Sequence, residues 1–502
     1  MIYFTPTTIR AFLPLSKVNT CQRIATKRRH FLSSSLTFSK PTIVLFLASL
    51  FPEPNASAAG VRTQFLVQQL AEAPGVECVH YGTSANKPKQ HDVVCHNFTI
   101  TAINNSKQML EELGVKFHYI PANDSNRMDD FLTDSGAKDP GKQTLVIIDR
   151  FFMEEAYSFH IHNTCPNAAI VLDMQDMHSL RWHRHALVKQ RDSYHDVECT
   201  TQDQYDPMTN LPIGAESYPL AHDTKLQREL ASIHRSDLTL VCSPAEMEAL
   251  HSIYHIPKNK LSLASFFLED IESLVSHTIP FEERKDFVFI GGFRHDPNVD
   301  AVWQMRRLWP QIKAKLRSNE RSKTNFHVYG PFCPRPLLEA CHNPSEGFVI
   351  HGLTKKSVKE ILADKRVLLS PLRFGAGIKG KIVDAWTFGT PVVTSPVGSE
   401  GMLDSDDWGG SVATNSEEFV DAAVSLYQDE SKWAQAHNRG HRLLSILYGM
   451  DHWKRTLADL VHLCDNLDER RRKDFTRSVL WQQTTKSTEY FSRWIEAKSV
   501  KP

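Results

Sequence analysis

Polar and apolar positions alternate along this chain in blocks, and each block has the period of a buried strand or of an amphipathic helix. "TIVLFLASLF" (Thr42–Phe51) is a continuous apolar run, followed by the loop "PEPNASAAG" and then by "VRTQFLVQQLAEAPG". In the last segment Val61, Phe65, Leu66 and Leu70 recur at helical spacing before Gly75 stops them. Apolar runs return at "TLVIID" (144–149), "AAIVLDM" (168–174) and "LTLVCS" (238–243), with helix-like segments between. Runs without alternation belong to strands covered on both faces, so the pattern predicts a parallel sheet between layers of helix.

The periodicity lapses at 269–284, a charged stretch around Pro280, and restarts at "DFVFIGGF" (286–293). A helix is expected next, with Asp296 as N-cap and Pro297 at its first position. Strands follow at 325–330, 348–353, 366–372 and 391–397. The expected organisation is a doubly wound domain at 41–268, a linker at 269–284, a second doubly wound domain at 285–450 and C-terminal helices at 451–502. The last helix, "STEYFSRWIEAK", carries Tyr490, Phe491 and Trp494 on one face, so it is expected to lie on an apolar surface shared by both domains.

Composition narrows the class. At 502 residues, 41% hydrophobic and 23% charged, the chain suits two or three folded domains. Its formal charge is zero, yet residues 1–40 hold seven Lys or Arg and no acid, leaving the remainder net acidic. Bulk charge therefore argues against a nucleic-acid partner. The basic, Ser/Thr-rich, acid-free start reads as a transit peptide or a disordered tail, with import into mitochondrion or plastid expected and cytoplasm or secretory pathway as alternatives. The ten-residue run at 42–51 is half of a bilayer span, so no transmembrane segment is expected. Nine scattered cysteines without a Cys-x-x-Cys pair favour a reducing compartment, against the weak pull of sequons at Asn55, Asn97, Asn104 and Asn123.

The chemistry concentrates in "SPLRFGAGIKGKIVDAWTFGTPVVTSPVGSEGM" (Ser370–Met402). A buried strand, a loop with Gly375 and Gly377, and a helix ended by Gly389 form a corner at the carboxyl edge of a sheet, where open α/β folds bind ligands. Free N–H groups at the helix start suit phosphate, Lys379 and Lys381 add charge, and Asp384 one turn on suits paired ribose hydroxyls. The bland alternative is that the glycines serve the turn and the lysines are solvated. On the first-half side, Gly60 and Arg62 follow the first strand. Asp173, Asp176, His178 and Arg181 follow a later one, where Asp176 can equally serve as a helix cap. His160, His162 and Cys165 match no zinc signature, and no metal is expected.

The Ser370–Met402 stretch closely resembles the donor-binding segment of family-four glycosyltransferases (glycosyl transferases group 1), and "FIGGFRHDPNVDAV" resembles the first strand, loop and helix of the same domain. The resemblance is strong over 366–402, moderate over 286–402, and only one of layout in the first half. It implies an α/β fold of GT-B type, two Rossmann-like domains facing a cleft with C-terminal helices crossing back. It also implies a retaining transferase that takes a sugar from a nucleotide-diphosphate donor without metal or other cofactor and passes it to an unknown glycan, lipid or small-molecule acceptor. The resemblance places Gly375, Gly377, Ile378, Asp384 and Glu400 at the donor and the loop with Gly60 and Arg62 on the acceptor side; Lys379 and Lys381 join the donor set on charge alone, and Asp176, His178 and Lys381 are the catalytic candidates by position. Two departures stand out. Where many members carry a glutamate near the sugar this chain has Ala376, and where many have Gly-Arg after the first strand it has Gly291 and Gly292, then Phe293 and Arg294. Lys379, Lys381 and Arg294 are the cations that can stand in. A catalytically degenerate GT-B protein that binds a nucleotide or acts as a scaffold is the alternative, and a hydrolysing sugar epimerase a distant third.

Overall fold

The computed structural model describes residues 36–52, 57–84, 93–122, 124–198, 205–269, 271, 279–402 and 407–499. The expected transit peptide lies almost wholly outside them, as does half of the expected linker. Residues 279–284 of that stretch are packed: Arg284 is buried and donates to the carbonyls of Ile279, Lys365 and Phe388 and to Thr390 Oγ1.

Two parallel sheets form the body. The first contains β1 (Thr42–Ala48), β2 (Val76–Thr83), β3 (Lys116–Tyr119), β4 (Gln143–Asp149), β5 (Ala169–Asp173), β6 (Leu238–Val241) and β7 (Leu261–Leu263), in the order β3-β2-β1-β4-β5-β6-β7. The second contains β8 (Lys285–Ile290), β9 (Phe326–Tyr329), β10 (Phe348–Gly352), β11 (Lys365–Ser370), β12 (Val392–Thr394) and β13 (Gly410–Val412), in the order β10-β9-β8-β11-β12-β13. Strand order reverses between β1 and β4 and again between β8 and β11, which opens a crevice at the carboxyl ends of each sheet.

Burial explains the unbroken apolar runs. All of β1 is buried, with Val44 and Phe46 in one core cluster and Ile43, Leu45 and Leu47 in another on the opposite face. Helices from distant sequence cover both faces. The helix Glu430–Tyr448 lies on the second sheet, where Leu443, Leu444 and Tyr448 join the cluster around Trp386. At Gly449 the chain crosses, marked by the Leu268 N–H donating to the Tyr448 carbonyl at 2.7 Å. The helix Met450–Asp465 then returns to the first sheet and inserts Trp453, Leu457 and Leu460 into its core.

The final helix, Phe475–Ser499, departs from expectation. It packs mainly against the helices Thr224–Arg235 and Phe151–Thr164 of the first half, and Tyr490, Phe491 and Trp494 are 66%, 61% and 52% exposed. The rotation that buries Trp481 causes this. Its indole N–H donates to the Arg235 carbonyl at 2.9 Å and its ring stacks on His162 at 4.0 Å, while Glu496 accepts from Ser125 Oγ at 2.7 Å. With those groups inward, the three aromatics face out.

Candidate functional site

Between the two sheets lies a cleft of about 610 Å³ lined from both halves. The loop after β11 forms one wall. Gly377 has φ +64°, and a Cβ there would stand 2.9 Å from Asp176 Cβ on the opposite wall, so glycine serves both the turn and the close approach. The Gly377 N–H donates to Glu246 Oε1 at 2.6 Å, and Arg184 reaches across to the Gly375 carbonyl at 3.1 Å. The helix Gly380–Thr387 begins where Ala58 of the first half abuts it, since a Cβ on Gly380 would meet Ala58 Cβ at 2.3 Å. The start of the helix Ala58–Ala71 thus stands against the start of Gly380–Thr387, so two positive helix ends meet at the cleft.

Of the expected donor residues, Gly375, Gly377, Ile378, Lys379, Lys381 and Asp384 line the cleft. Lys379 is buried and spends its ammonium on the Gly377 carbonyl at 2.6 Å; burial pulls its pKa down, opposed by Glu400. Lys381 donates to Asn298 Oδ1 and lies over the Phe289 ring, and burial, reinforced by Lys379, brings its pKa to about 7. Burial lifts the Asp384 carboxyl from 3.8 to about 7. Among the described residues no donor reaches that carboxylate, which leaves its acceptor sites open to a ligand.

Two of the expected donor residues lie elsewhere. Glu400 does not line the cleft; its carboxylate is gripped by the buried Arg184 at 2.5 and 2.7 Å, an ion pair that joins the halves. Arg294 is exposed, stacks over Phe332 at 3.7 Å and does not line the cleft.

The opposite wall comes from the carboxyl ends of β1, β4 and β5. Gly60 is buried in the first turn of its helix, where its N–H donates to the Ser57 cap at 3.0 Å, and it does not line the cleft. Arg62 lines it, but its guanidinium is committed to Asp173 at 2.7 Å and to the Ala264 carbonyl. Asp176 and His178 both line it. Asp176 is not the cap of the helix His178–Glu198, because Glu229 accepts from the His178 and Ser179 N–H groups, and Glu246 from Met177, at 2.7, 2.9 and 3.3 Å. Two buried glutamates take the capping role and free Asp176 for side-chain partners. It pairs with Arg181 at 2.8 Å and with His178 Nε2 at 3.2 Å. Burial opposes its ionisation, but Arg181 and His178 hold its pKa below the ordinary carboxylate value. Burial drops His178 to about 4 against the pull of Asp176, so the imidazole is neutral near pH 7.

Several cleft residues carried no local signal in the sequence. Arg150 sits at φ +70° after β4, paired with Asp149 at 2.9 Å, and Gln175 at φ +62° after β5 donates to both Asp149 and Asp173 at 3.0 Å. Backbone strain of this kind collects at functional sites. Asn298, Lys355 and Lys356 complete the second-half side. His162, considered with His160 and Cys165 as a zinc ligand, is occupied by Trp481, and among the described residues no three His, Cys, Asp or Glu side chains group as a metal site.

Residues 284–429 match the family model "Glycosyl transferases group 1". Solved structures similar to the chain include Anabaena Alr3699/HepE in complex with UDP-glucose (11% identity, 85% of this chain and 99% of that one, TM-score 0.53). A glycosyltransferase from Rickettsia africae ESF-5 is similar at 9% identity (87% and 99% covered, TM-score 0.51). The N-terminal domain of Candida albicans trehalose-6-phosphate phosphatase is similar at 11% identity (86% and 97% covered, TM-score 0.50). No curated protein matches by sequence. The fold is GT-B. In GT-B terms the first sheet and its helices are the N-terminal half and the second the half that matches the transferase family. The Gly375–Asp384 corner falls inside the matched residues, and Asp176 and His178 face it from outside them.

Proposed function

We propose that this GT-B protein transfers a sugar from a nucleotide-diphosphate sugar to a hydroxyl acceptor, with retention at the anomeric carbon. One observation carries the reading. Lys381 and Asp384, one helical turn apart at the corner after β11, line the same cleft as the Asp176–His178 pair, and Gly377 brings the two walls into contact. Asp384 is assigned to the ribose hydroxyls, and the apolar side chains of Ile290, Val358 and Ile361 with Tyr329 line the same cleft and suit a base. Lys381 and the free N–H groups at the start of Gly380–Thr387 are assigned to the diphosphate. As the bond from the anomeric carbon to the phosphate oxygen breaks, negative charge grows on the leaving diphosphate, and a preorganised cation and helix end lower that barrier. His178, beside Asp176 at 3.2 Å, is assigned to the passage of the acceptor proton.

The Anabaena neighbour holds UDP-glucose, which makes UDP-sugars the first donors to test. Purified protein incubated with a panel of nucleotide sugars should release nucleoside diphosphate, and Lys381→Met should slow that release. Release unaffected by Lys381→Met would place the donor elsewhere.

A second reading has its own support. Ala376 packs against the apolar cluster of the first half around Met174 and Leu250, and the Gly377 N–H is already taken by Glu246. A degenerate protein that binds a nucleotide without turnover fits those two facts. Selective thermal stabilisation by a nucleoside diphosphate, with no hydrolysis or transfer from any nucleotide sugar, would favour it.

A further inference from the structure

The final helix presents an apolar face that no described residue covers. At 100° per residue, Phe475, Val479, Tyr490, Trp494, Lys498 and Phe491 fall within about 160° of one another. The aromatics at its C-terminal end are more than half exposed, and Phe475 and Val479 on the same face are 78% and 60% exposed. The opposite face is fixed to the protein through Trp481, through Arg477 on Asp237 at 3.0 Å and through Glu496 on Ser125. The face is therefore held outward on a rigid body and spans about 37 Å of helix.

Its chemistry selects the partner. Phe491 and Trp494 stack with centroids 5.8 Å apart, and the Lys498 ammonium lies 3.7 Å over the Trp494 ring. Lys498 makes no ion pair among the described residues, whereas the acids of this helix are engaged: Glu489 pairs with Arg493 and Glu496 accepts from Ser125. Arg472, exposed just before the helix, adds a cation at the other end. The face thus combines aromatics, of which Tyr490 and Trp494 have polar tips, with cations and, among the described residues, no free carboxylate. A self-pairing helix seam needs an apolar residue every three or four positions, but none of Val, Leu, Ile, Met or an aromatic occurs between Trp481 and Tyr490. Tyr and Trp flanked by Lys are instead the residues that settle at a bilayer headgroup region.

We infer that the Phe475–Ser499 helix docks this protein on an anionic lipid surface, with Tyr490, Phe491 and Trp494 entering the headgroup layer and Lys498 meeting lipid phosphate. The contact is with the surface, because no described helix is long and apolar enough to cross a membrane. The inference does not depend on sugar transfer.

Co-sedimentation of the full-length protein with vesicles of phosphatidylcholine, alone or mixed with phosphatidylglycerol, tests it. The wild type should bind the mixed vesicles. Tyr490→Ser/Phe491→Ser/Trp494→Ser should bind them at least about tenfold more weakly with an unchanged melting temperature, since these side chains touch solvent. Lys498→Glu should weaken binding to mixed vesicles about fivefold or more and leave binding to neutral ones unchanged. Wild-type protein that binds neither vesicle, or a triple variant that binds as well as wild type, overturns the inference. So does a wild-type dimer in light scattering that the triple variant abolishes with no change in vesicle binding, because the face would then belong to a second copy.

Discussion

Asp384→Asn separates the proposed ribose contact from everything else in the cleft. Among the described residues the carboxylate has no donor, so the substitution breaks no hydrogen bond between them. Its pKa is raised from 3.8 to about 7 in the folded state, which means that the fold binds more protons than the unfolded chain between those values and wild-type stability falls as pH rises through that window. The asparagine variant lacks this liability and should melt no lower than wild type at pH 8. Binding should change in the other direction. Two ribose hydroxyls donating to a charged acceptor contribute about 1.5–3 kcal/mol, so UDP affinity should fall roughly ten- to a hundredfold, while inorganic diphosphate should bind as before. The pH dependence adds a second signature. Ionised Asp384 is the better acceptor, so wild-type UDP affinity falls as pH drops below about 7 and Asp384 protonates, whereas Lys381, also with a pKa of about 7, loses its charge on the alkaline side. The expected profile is a bell. Asp384→Asn should remove its acid limb and Lys381→Met its alkaline limb, both readable by isothermal titration calorimetry between pH 5.5 and 8.5. Equal losses for UDP and inorganic diphosphate in Asp384→Asn, or an unchanged acid limb, would refute the assignment.

Gly377→Ala imposes φ +64° on a side chain whose Cβ would stand 2.9 Å from Asp176, and it should cost about 1–3 kcal/mol in denaturant unfolding and depress turnover more than stability. Arg184→Met strands Glu400 at the junction of the halves; a loss of about 3–5 kcal/mol is expected, with Arg184→Met/Glu400→Gln recovering part of it in thermal melts. His178→Gln should lower kcat by about 10²-fold or more and leave UDP affinity within about twofold, whereas parallel losses in both would make His178 a structural residue. Trp481→Ala removes a buried indole that donates to the Arg235 carbonyl and should cost about 3–5 kcal/mol, measured as a fall in melting temperature.

The sequence disclosed those parts of the molecule whose cause is local. β1, β4, β5 and β11 were readable because strands covered on both faces must be apolar throughout. β3, whose four residues are all partly or fully exposed, and the short β13 at the other sheet's edge gave no such run. The donor corner was readable for a similar reason: Gly375, Gly377, Lys381 and Asp384 occupy ten consecutive residues. What stayed hidden is set by pairing across the cleft. Arg184 meets Gly375 and Glu400 from 191 and 216 residues away, and Glu246 meets Gly377 from 131. Nothing near Arg184 or Glu246 in the chain distinguishes a solvated charge from a buried clasp. Long-range neutralisation also reassigns residues whose local pattern is sound. Arg62 stands where an acceptor-side cation was expected, yet Asp173, buried at the end of β5, needs a counter-charge and takes it. Asp176 stands at a capping position, but Glu229 and Glu246 reach the helix N–H groups first, and this leaves Asp176 ionised between Arg181 and His178. The catalytic reading of Asp176 therefore depends on two glutamates that lie 53 and 70 residues further along the chain. Glu246→Gln makes that dependence measurable: an amide offers one acceptor where the carboxylate serves both Met177 and Gly377, so kcat should fall even though residue 246 does not line the cleft.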